Sequence, residues 1–166
     1  MQLTDGVITL RRWREDDLSQ LVAVADDPEI ARWTTLPSPY TEEDGRDWLS
    51  RAGETAFAIV AAGSGKRLGA VGVDPVEDGT GEVGYWVAAH ARRQGTATRA
   101  VLLASRWALR EGRFPRLSLL TEPGNVASQR VAERAGFRRK AELRSWREIK
   151  GERRDLVMYS LLPEDL

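Results

Sequence analysis

The stretch Gly84-Tyr85-Trp86-Val87-Ala88-Ala89-His90-Ala91-Arg92-Arg93-Gln94-Gly95-Thr96-Ala97-Thr98 joins an apolar strand to the most amphipathic helix in the chain. The strand spans Glu82 to Ala88. The helix spans Thr96 to Glu111, with Ala100, Leu103, Ala104, Trp107 and Ala108 along one side. Between them, Gly95 lets the backbone turn tightly with its amides facing inward. The small residues Thr96 and Ala97 let a ligand approach the main chain. The first amides of a helix have no partners within it, and its dipole favours an anion there. Arg92 and Arg93 add fixed positive charge. Together these features describe a pyrophosphate cradle. The plainer alternative is an ordinary helix start with solvent-facing arginines.

Reading outward, Val7 to Trp13 is a strand, and Asp16 and Asp17 open a helix running to Ala25. Asp27-Pro28 opens a short second helical turn, and Thr41 caps a third helix that runs to Arg51. Ala56 to Ala62 and Arg67 to Val73 form a hairpin around Gly63-Ser64-Gly65-Lys66, and Glu82 to Ala88 follows as a further antiparallel strand. Gly112 ends the amphipathic helix. Leu117 to Thr121 is a strand, Asn125 to Ala135 is a helix stopped by Gly136, and two last strands, Phe137 to Glu148 and Asp155 to Leu162, meet near Gly151. This order describes an α+β domain with a mixed central sheet, and the 166 residues fit one domain spanning 1–166.

Composition narrows the chemistry. There is no cysteine, which excludes disulfides, thiolate nucleophiles and zinc-thiolate sites. Lys plus Arg equals Asp plus Glu, so no overall basic field draws in nucleic acid. Met1 to Gly6 carries no apolar signal core, and no apolar run approaches the ~20 residues of a membrane span. The expected location is the cytoplasm, with no membrane partner and no metal. Charge is nevertheless uneven. Acidic residues dominate between Arg14 and Glu54, and basic residues between Arg130 and Arg154. Either these are solvated faces, or they are two poles, one for a cationic acceptor and one for an anionic donor.

Two glycine-rich matches are set aside. Gly79-Thr80-Gly81-Glu82-Val83-Gly84 has the letters of a dinucleotide fingerprint but opens a strand instead of a helix. Gly63-Ser64-Gly65-Lys66 lacks the spacing of a phosphate loop. A second informative segment is Asn125-Val126-Ala127-Ser128 followed by Ala135-Gly136-Phe137. Asn125 can cap the helix and present an amide to a ligand, while the Ser128 hydroxyl lies near the helix N-terminus.

Taken with the Arg92–Thr98 loop and the closing Asp155–Leu162 strand, this segment resembles the GNAT superfamily of N-acetyltransferases. Within it, the chain is most similar to the branch of RimJ/RimL-type ribosomal-protein N-terminal acetyltransferases. The resemblance implies a mostly antiparallel sheet that splays open in the middle, flanked by helices, with acetyl-CoA in the gap. Pantetheine would pair with backbone near Val87 and Ala88. The pyrophosphate would rest on residues Arg92, Arg93, Gln94, Gly95, Thr96, Ala97 and Thr98, and Asn125 would touch the pantetheine arm. The family's tyrosine acid, four residues before Gly136-Phe137, is replaced by Ala132. The resemblance offers Ser128 in its place, both touching the donor and protonating the leaving sulfur. A hairpin carboxylate that serves as base in some members aligns with Arg147.

Acyl transfer to an amine requires a base, oxyanion donors and an acid for the thiolate. Glu82, which shares a strand face with Gly84 and Trp86, is the first candidate base, and Glu148 the second. His90 and Asp155 fit structural roles better. Trp86 and Trp107 suit the core or cleft lining, and Trp13, Trp33, Trp48 and Trp146 an acceptor groove. The reading is an acetyl-CoA-dependent N-acetyltransferase, monomer or homodimer, acting on a peptide or protein N-terminus. The alternatives are a small-molecule amine acyltransferase, another short acyl donor such as succinyl-CoA, or a non-catalytic CoA-binding sensor.

Overall fold

Alternation of apolar residues along Ile8–Arg12, Ala56–Ala61 and Arg67–Pro75 puts Ile8, Leu10, Phe57, Ile59, Val71 and Val73 on one face. A helix carrying Ala100, Val101, Ala104, Trp107 and Ala108 on one stripe covers that face. The structure is a computed structural model that describes residues 1–111 and 113–166. The helix stop expected at Gly112 therefore lies outside the described residues.

In chain order the elements are β1 (Gln2–Thr4), β2 (Ile8–Arg12), α1 (Leu18–Ala25), α2 (Pro28–Trp33), α3 (Glu42–Arg51), β3 (Ala56–Ala61), β4 (Arg67–Pro75) and β5 (Gly81–Val87). They continue with α4 (Thr96–Arg110), β6 (Leu117–Thr121), α5 (Val126–Arg134), β7 (Arg138–Ile149) and β8 (Glu152–Leu161). The strands form one sheet in the order β1-β2-β3-β4-β5-β6-β8-β7. Every neighbouring pair is antiparallel except β5 and β6, which the α4 crossover makes parallel. The short edge strand β1, paired to β2 from Gln2 to Thr4, was not expected from the sequence. Among the described residues no helix is long and apolar enough to cross a membrane.

Helices α4 and α5 cover one face of the sheet. Helices α1 to α3 cover the other, where Leu21, Ala25, Ile30 and Tyr40 pack on Ala70 and Trp86. Their ends follow local rules. Thr41 and Asp44 form a reciprocal capping box at α3, and Asp27 caps α2 by accepting from the Glu29 amide at 2.8 Å. The β7–β8 turn holds Lys150 at φ 51° and Gly151 at φ 80°, the two left-handed positions of a tight hairpin. Beneath the sheet's N-terminal half, buried Asp17 accepts from Arg11 at 2.8 Å and from Arg67. Burial pushes its carboxyl up, but these bonds and the Arg14 amide outweigh that and lower it to about 2.

Candidate active site

Strands β5 and β6 pair only at Gly81–Leu117 and Glu82–Ser118, and then diverge. The opening is part of a cleft of about 1420 Å³ reaching from α2 and α3 on one face to the first turns of α4 and α5. The Ala88 amide donates to the Leu68 carbonyl at 2.8 Å, and that of Gly81 to Arg116 on the other side at 3.0 Å. Alternation between these fixed ends turns the peptide groups of Tyr85 and Val87 toward the gap, where β6 no longer meets them. Val87 lines the cleft with its backbone edge toward the gap, whereas the Ala88 amide closes the β4–β5 ladder and Ala88 lies off the cleft lining.

The loop into α4 is concave for a definable reason. Arg93 and Gly95 both take left-handed conformations, at φ 59° and 77°, which turns the intervening amides to one side. Among the described residues no side chain caps α4, so its first amides have no side-chain partner there. A Cβ at Gly95 would meet nothing within 4 Å. The open space, free amides and helix dipole fit a pyrophosphate, and Arg93, Gly95, Thr96, Ala97 and Thr98 all line the cleft. Two expected members are placed otherwise. The Arg92 guanidinium, although at the cleft, is held 2.6 Å from Asp27, which ties the loop to the start of α2 and offsets its charge. Gln94 folds back to donate to the His90 carbonyl at 3.0 Å and leaves the lining.

Across the gap, the Asn125 side chain accepts from the Ser128 amide at 3.1 Å, so its oxygen caps α5. Both residues line the cleft. Ala132 is fully buried and brings no acid there. The Tyr85 hydroxyl donates to Ser128 Oγ at 3.0 Å. Burial raises its phenol above the ordinary value. Tyr85 was read from the sequence only as a strand residue. The available signal was parity: it faces opposite to Glu82, Gly84 and Trp86, toward α5.

On the other face, Ala70 lies opposite Trp86, Gly72 opposite Gly84, and Asp74 opposite Glu82. The glycine pair leaves a trough floored by bare backbone, and a Cβ at Gly84 would meet nothing within 4 Å. Carboxylates stand at one end and the Trp86 indole at the other. Arg147 grips Glu82 with two parallel bonds of 2.7 and 2.8 Å, bringing the two candidate base positions together. Asp74 accepts no hydrogen bond from the described residues. Partial burial, then the neighbouring Glu82, push its carboxyl above the ordinary range. Lys150 donates to the carbonyls of Ala31 and Leu36 at 2.5 and 2.7 Å, pinning the hairpin tip against α2 and the segment that follows it.

The remaining candidates lie elsewhere. His90 Nε2 sits 3.2 Å from the Arg67 carbonyl, and Asp155 accepts from the Ser145 amide at 2.7 Å to brace the β7 irregularity. Neither His90 nor Glu148 lines the cleft. Trp33 and Trp48 do, while Trp13 stacks edge-on behind Trp48 at 4.9 Å and Trp146 is exposed on the hairpin. The acidic pole is also thinner than its sequence. Asp17 is buried, Asp26 accepts from the Tyr40 amide, and Asp27 is bonded, so Glu29, Asp44 and Asp47 are the residues of that group facing the cleft. Among the described residues no group of three or more His, Cys, Asp or Glu could hold a metal ion.

Comparison with known proteins agrees with this geometry. Residues 8–138 match the family model described as an acetyltransferase (GNAT) domain. The uncharacterized N-acetyltransferase p20 of Bacillus licheniformis is 24% identical, over 95% of this chain and 94% of its own. The fold superposes on a GNAT-family acetyltransferase from Bacillus anthracis with a TM-score of 0.90 at 21% identity, covering 99% of each chain. It also matches RimL, a ribosomal L7/L12 α-N-protein acetyltransferase solved with coenzyme A, at a TM-score of 0.83 and 18% identity over 100% of each chain. The splayed sheet, the amide cradle and the match of the family model together show that the chain belongs to the GNAT family, an N-acetyltransferase that transfers acetyl from acetyl-CoA to an amine.

Proposed function

We propose that the acceptor is the α-amine of a peptide or protein N-terminus, entering on the face opposite the donor. The observation that carries this reading is the Gly72–Gly84 trough. It lies under α2 and α3, is bare enough for an extended main chain, and ends at the carboxylates of Asp74 and Glu82. Glu29, Asp44 and Asp47 along the same cleft favour an ammonium group. An α-amine, with a pKa near ~8, gives up its proton more readily than a lysine. The likeness to the RimJ/RimL branch points the same way, and the chain is read as one cytoplasmic domain spanning 1–166, monomer or homodimer.

The donor-side assignments are part of the proposal. Arg93 and the amides of Gly95, Thr96, Ala97 and Thr98 hold the pyrophosphate, with Arg92 holding the loop in place. Val87 offers the pantetheine its backbone, and Asn125 keeps Ser128 in place. Bound acetyl-CoA supplies the thioester carbonyl that is attacked. Glu82, held in place by Arg147, takes the amine's proton through water, and Ser128 Oγ gives a proton to the departing sulfur. A thiol-release screen tests the acceptor class with free-N-terminal peptides, N-blocked lysine peptides and small polyamines. The peptide with a free α-amine should show the highest kcat/KM. A polyamine or N-blocked lysine peptide that outperforms it would overturn the reading.

A further inference from the structure

Among the described residues Tyr85 is the one side chain whose hydroxyl bonds the proposed acid, and this half-buried group arrives there by construction. Strand β5 presents Glu82, Gly84 and Trp86 to α1–α3, so parity turns Tyr85 to the face of α4 and α5. There its ring packs at the edge of the main core, while its hydroxyl emerges at the splay. It donates to Ser128 Oγ at 3.0 Å. The Ser128 amide is itself fixed by Asn125 at 3.1 Å, so the main chain that carries this serine is held in place.

A serine hydroxyl has one proton to give and rotates freely unless its oxygen is engaged. Once Tyr85 donates to that oxygen, the serine proton must point elsewhere. The open direction is the cleft, since no acceptor among the described residues takes it. Ala132, which stands where the resembled family carries its tyrosine acid, is fully buried and brings no acid. Resting on the Ser128 reading, we propose that Tyr85 is a positioning residue that aims the Ser128 proton at the leaving sulfur and stabilises the serine oxygen as that proton departs.

The step balances without another reactant. The amine nitrogen forms the C–N bond, the C–S bond breaks, and sulfur leaves with that electron pair and takes the Ser128 proton. The ammonium gives up two protons in all. One passes by water at Glu82 to solvent, and the other offsets the proton that Ser128 regains.

The test combines Tyr85→Phe, Ser128→Ala and the double variant with 3-fluorotyrosine placed at position 85 alone. Tyr85→Phe should lower kcat about fivefold, the worth of one neutral hydrogen bond, with the calorimetric CoA affinity unchanged. The double variant should be no slower than Ser128→Ala. Fluorotyrosine keeps the ring shape but ionises earlier, so the alkaline limb of kcat should move to lower pH. If Ser128→Ala is slow while Tyr85→Phe turns over like the wild type, the Tyr85 inference falls and the Ser128 reading stands. Wild-type turnover in Ser128→Ala removes both. Multiplicative losses in the double variant would mean that Tyr85 acts apart from Ser128 and would overturn the inference. If Tyr85→Phe does not fold, the fluorotyrosine limb decides alone, and an unmoved limb overturns it.

Discussion

The two faces of β5 divide the chemistry that acetyl transfer requires. Toward α1–α3 lie Glu82, Gly84 and Trp86: charge, open space and an aromatic wall. Toward α4 and α5 lie Val83 and Tyr85: core packing and a hydroxyl aimed at a helix N-terminus. The first face is polar and wet, which suits capture of a cation and loss of its proton. The second is drier, which strengthens each hydrogen bond made to a departing sulfur. A strand that stays paired for two residues and then separates gives one peptide edge access to both. On the proposed assignments, the difference teaches that the splay separates acid from base as well as making room for the donor.

The comparison breaks most visibly at the cradle. Gly95→Asp puts a carboxylate among the amides proposed to hold the donor phosphates, at a backbone φ of 77° that suits glycine. CoA affinity should fall about 100-fold or more, the scale of a few kcal/mol for like charges near contact. Calorimetry reads the loss, and circular dichroism should show the fold retained. Unchanged affinity would detach the cradle from the donor.

On the drier face, Ser128→Ala should lower kcat about 10-fold or more, the lower edge of general-acid effects. Steady-state kinetics should leave the KM for acetyl-CoA nearly as it was. A raised KM with kcat intact would instead make Ser128 a binding group.

The wet face should respond more gently. Asp74→Asn removes an unpaired carboxylate whose effect is screened, so the acceptor KM should rise about threefold and less at high salt. Desolvation and then Glu82 raise the Asp74 carboxyl, so in the wild type this contribution is lost, as pH falls, at a higher pH than for an ordinary aspartate. A carboxyl raised in the fold destabilises it where ionised, so Asp74→Asn should not lower the neutral-pH melting temperature. An acceptor KM indifferent to the substitution, to salt and to pH would reduce Asp74 to a surface group.

Away from both faces, the Arg11–Asp17–Arg67 cluster serves as a control. The Asp17 carboxyl is lowered to about 2, so its stabilisation is full above the ordinary aspartate value of 3.8 and is lost as pH falls from there toward 2. The lowered carboxyl corresponds to roughly 2 kcal/mol. Acid melts of Asp17→Asn, less stable at neutral pH, should lose the wild type's steep decline over this window, while an unchanged decline would contradict the assignment.

Much of this was legible in the sequence because it is local. The β5–loop–α4 stretch carries its own strand, turn and helix signals, and parity alone put Glu82, Gly84 and Trp86 on one face. The fold class followed from element order. What could not be read were contacts between distant positions. Arg92 with Asp27 and Arg147 with Glu82 each join residues 65 apart, and Tyr85 meets Ser128 across 43. Each such contact changes what a residue is free to do. Arg92 and Gln94 give their side chains to the scaffold, Ala88 gives its amide to β4, and the acidic segment spends Asp17, Asp26 and Asp27 internally. Strand β1, three residues long, was too short to show a period.

The most direct test of the two-faced account is Gly84→Val, measured by calorimetry for CoA and by kinetics for a peptide acceptor. A Cβ at Gly84 enters open space, so the fold has room for it, and the added side chain fills the acceptor trough alone. The account predicts an acceptor KM raised about 10-fold or more, a loss of about 1.4 kcal/mol, with CoA affinity unchanged. An unchanged acceptor KM, or a loss of CoA affinity of the same size, would contradict it.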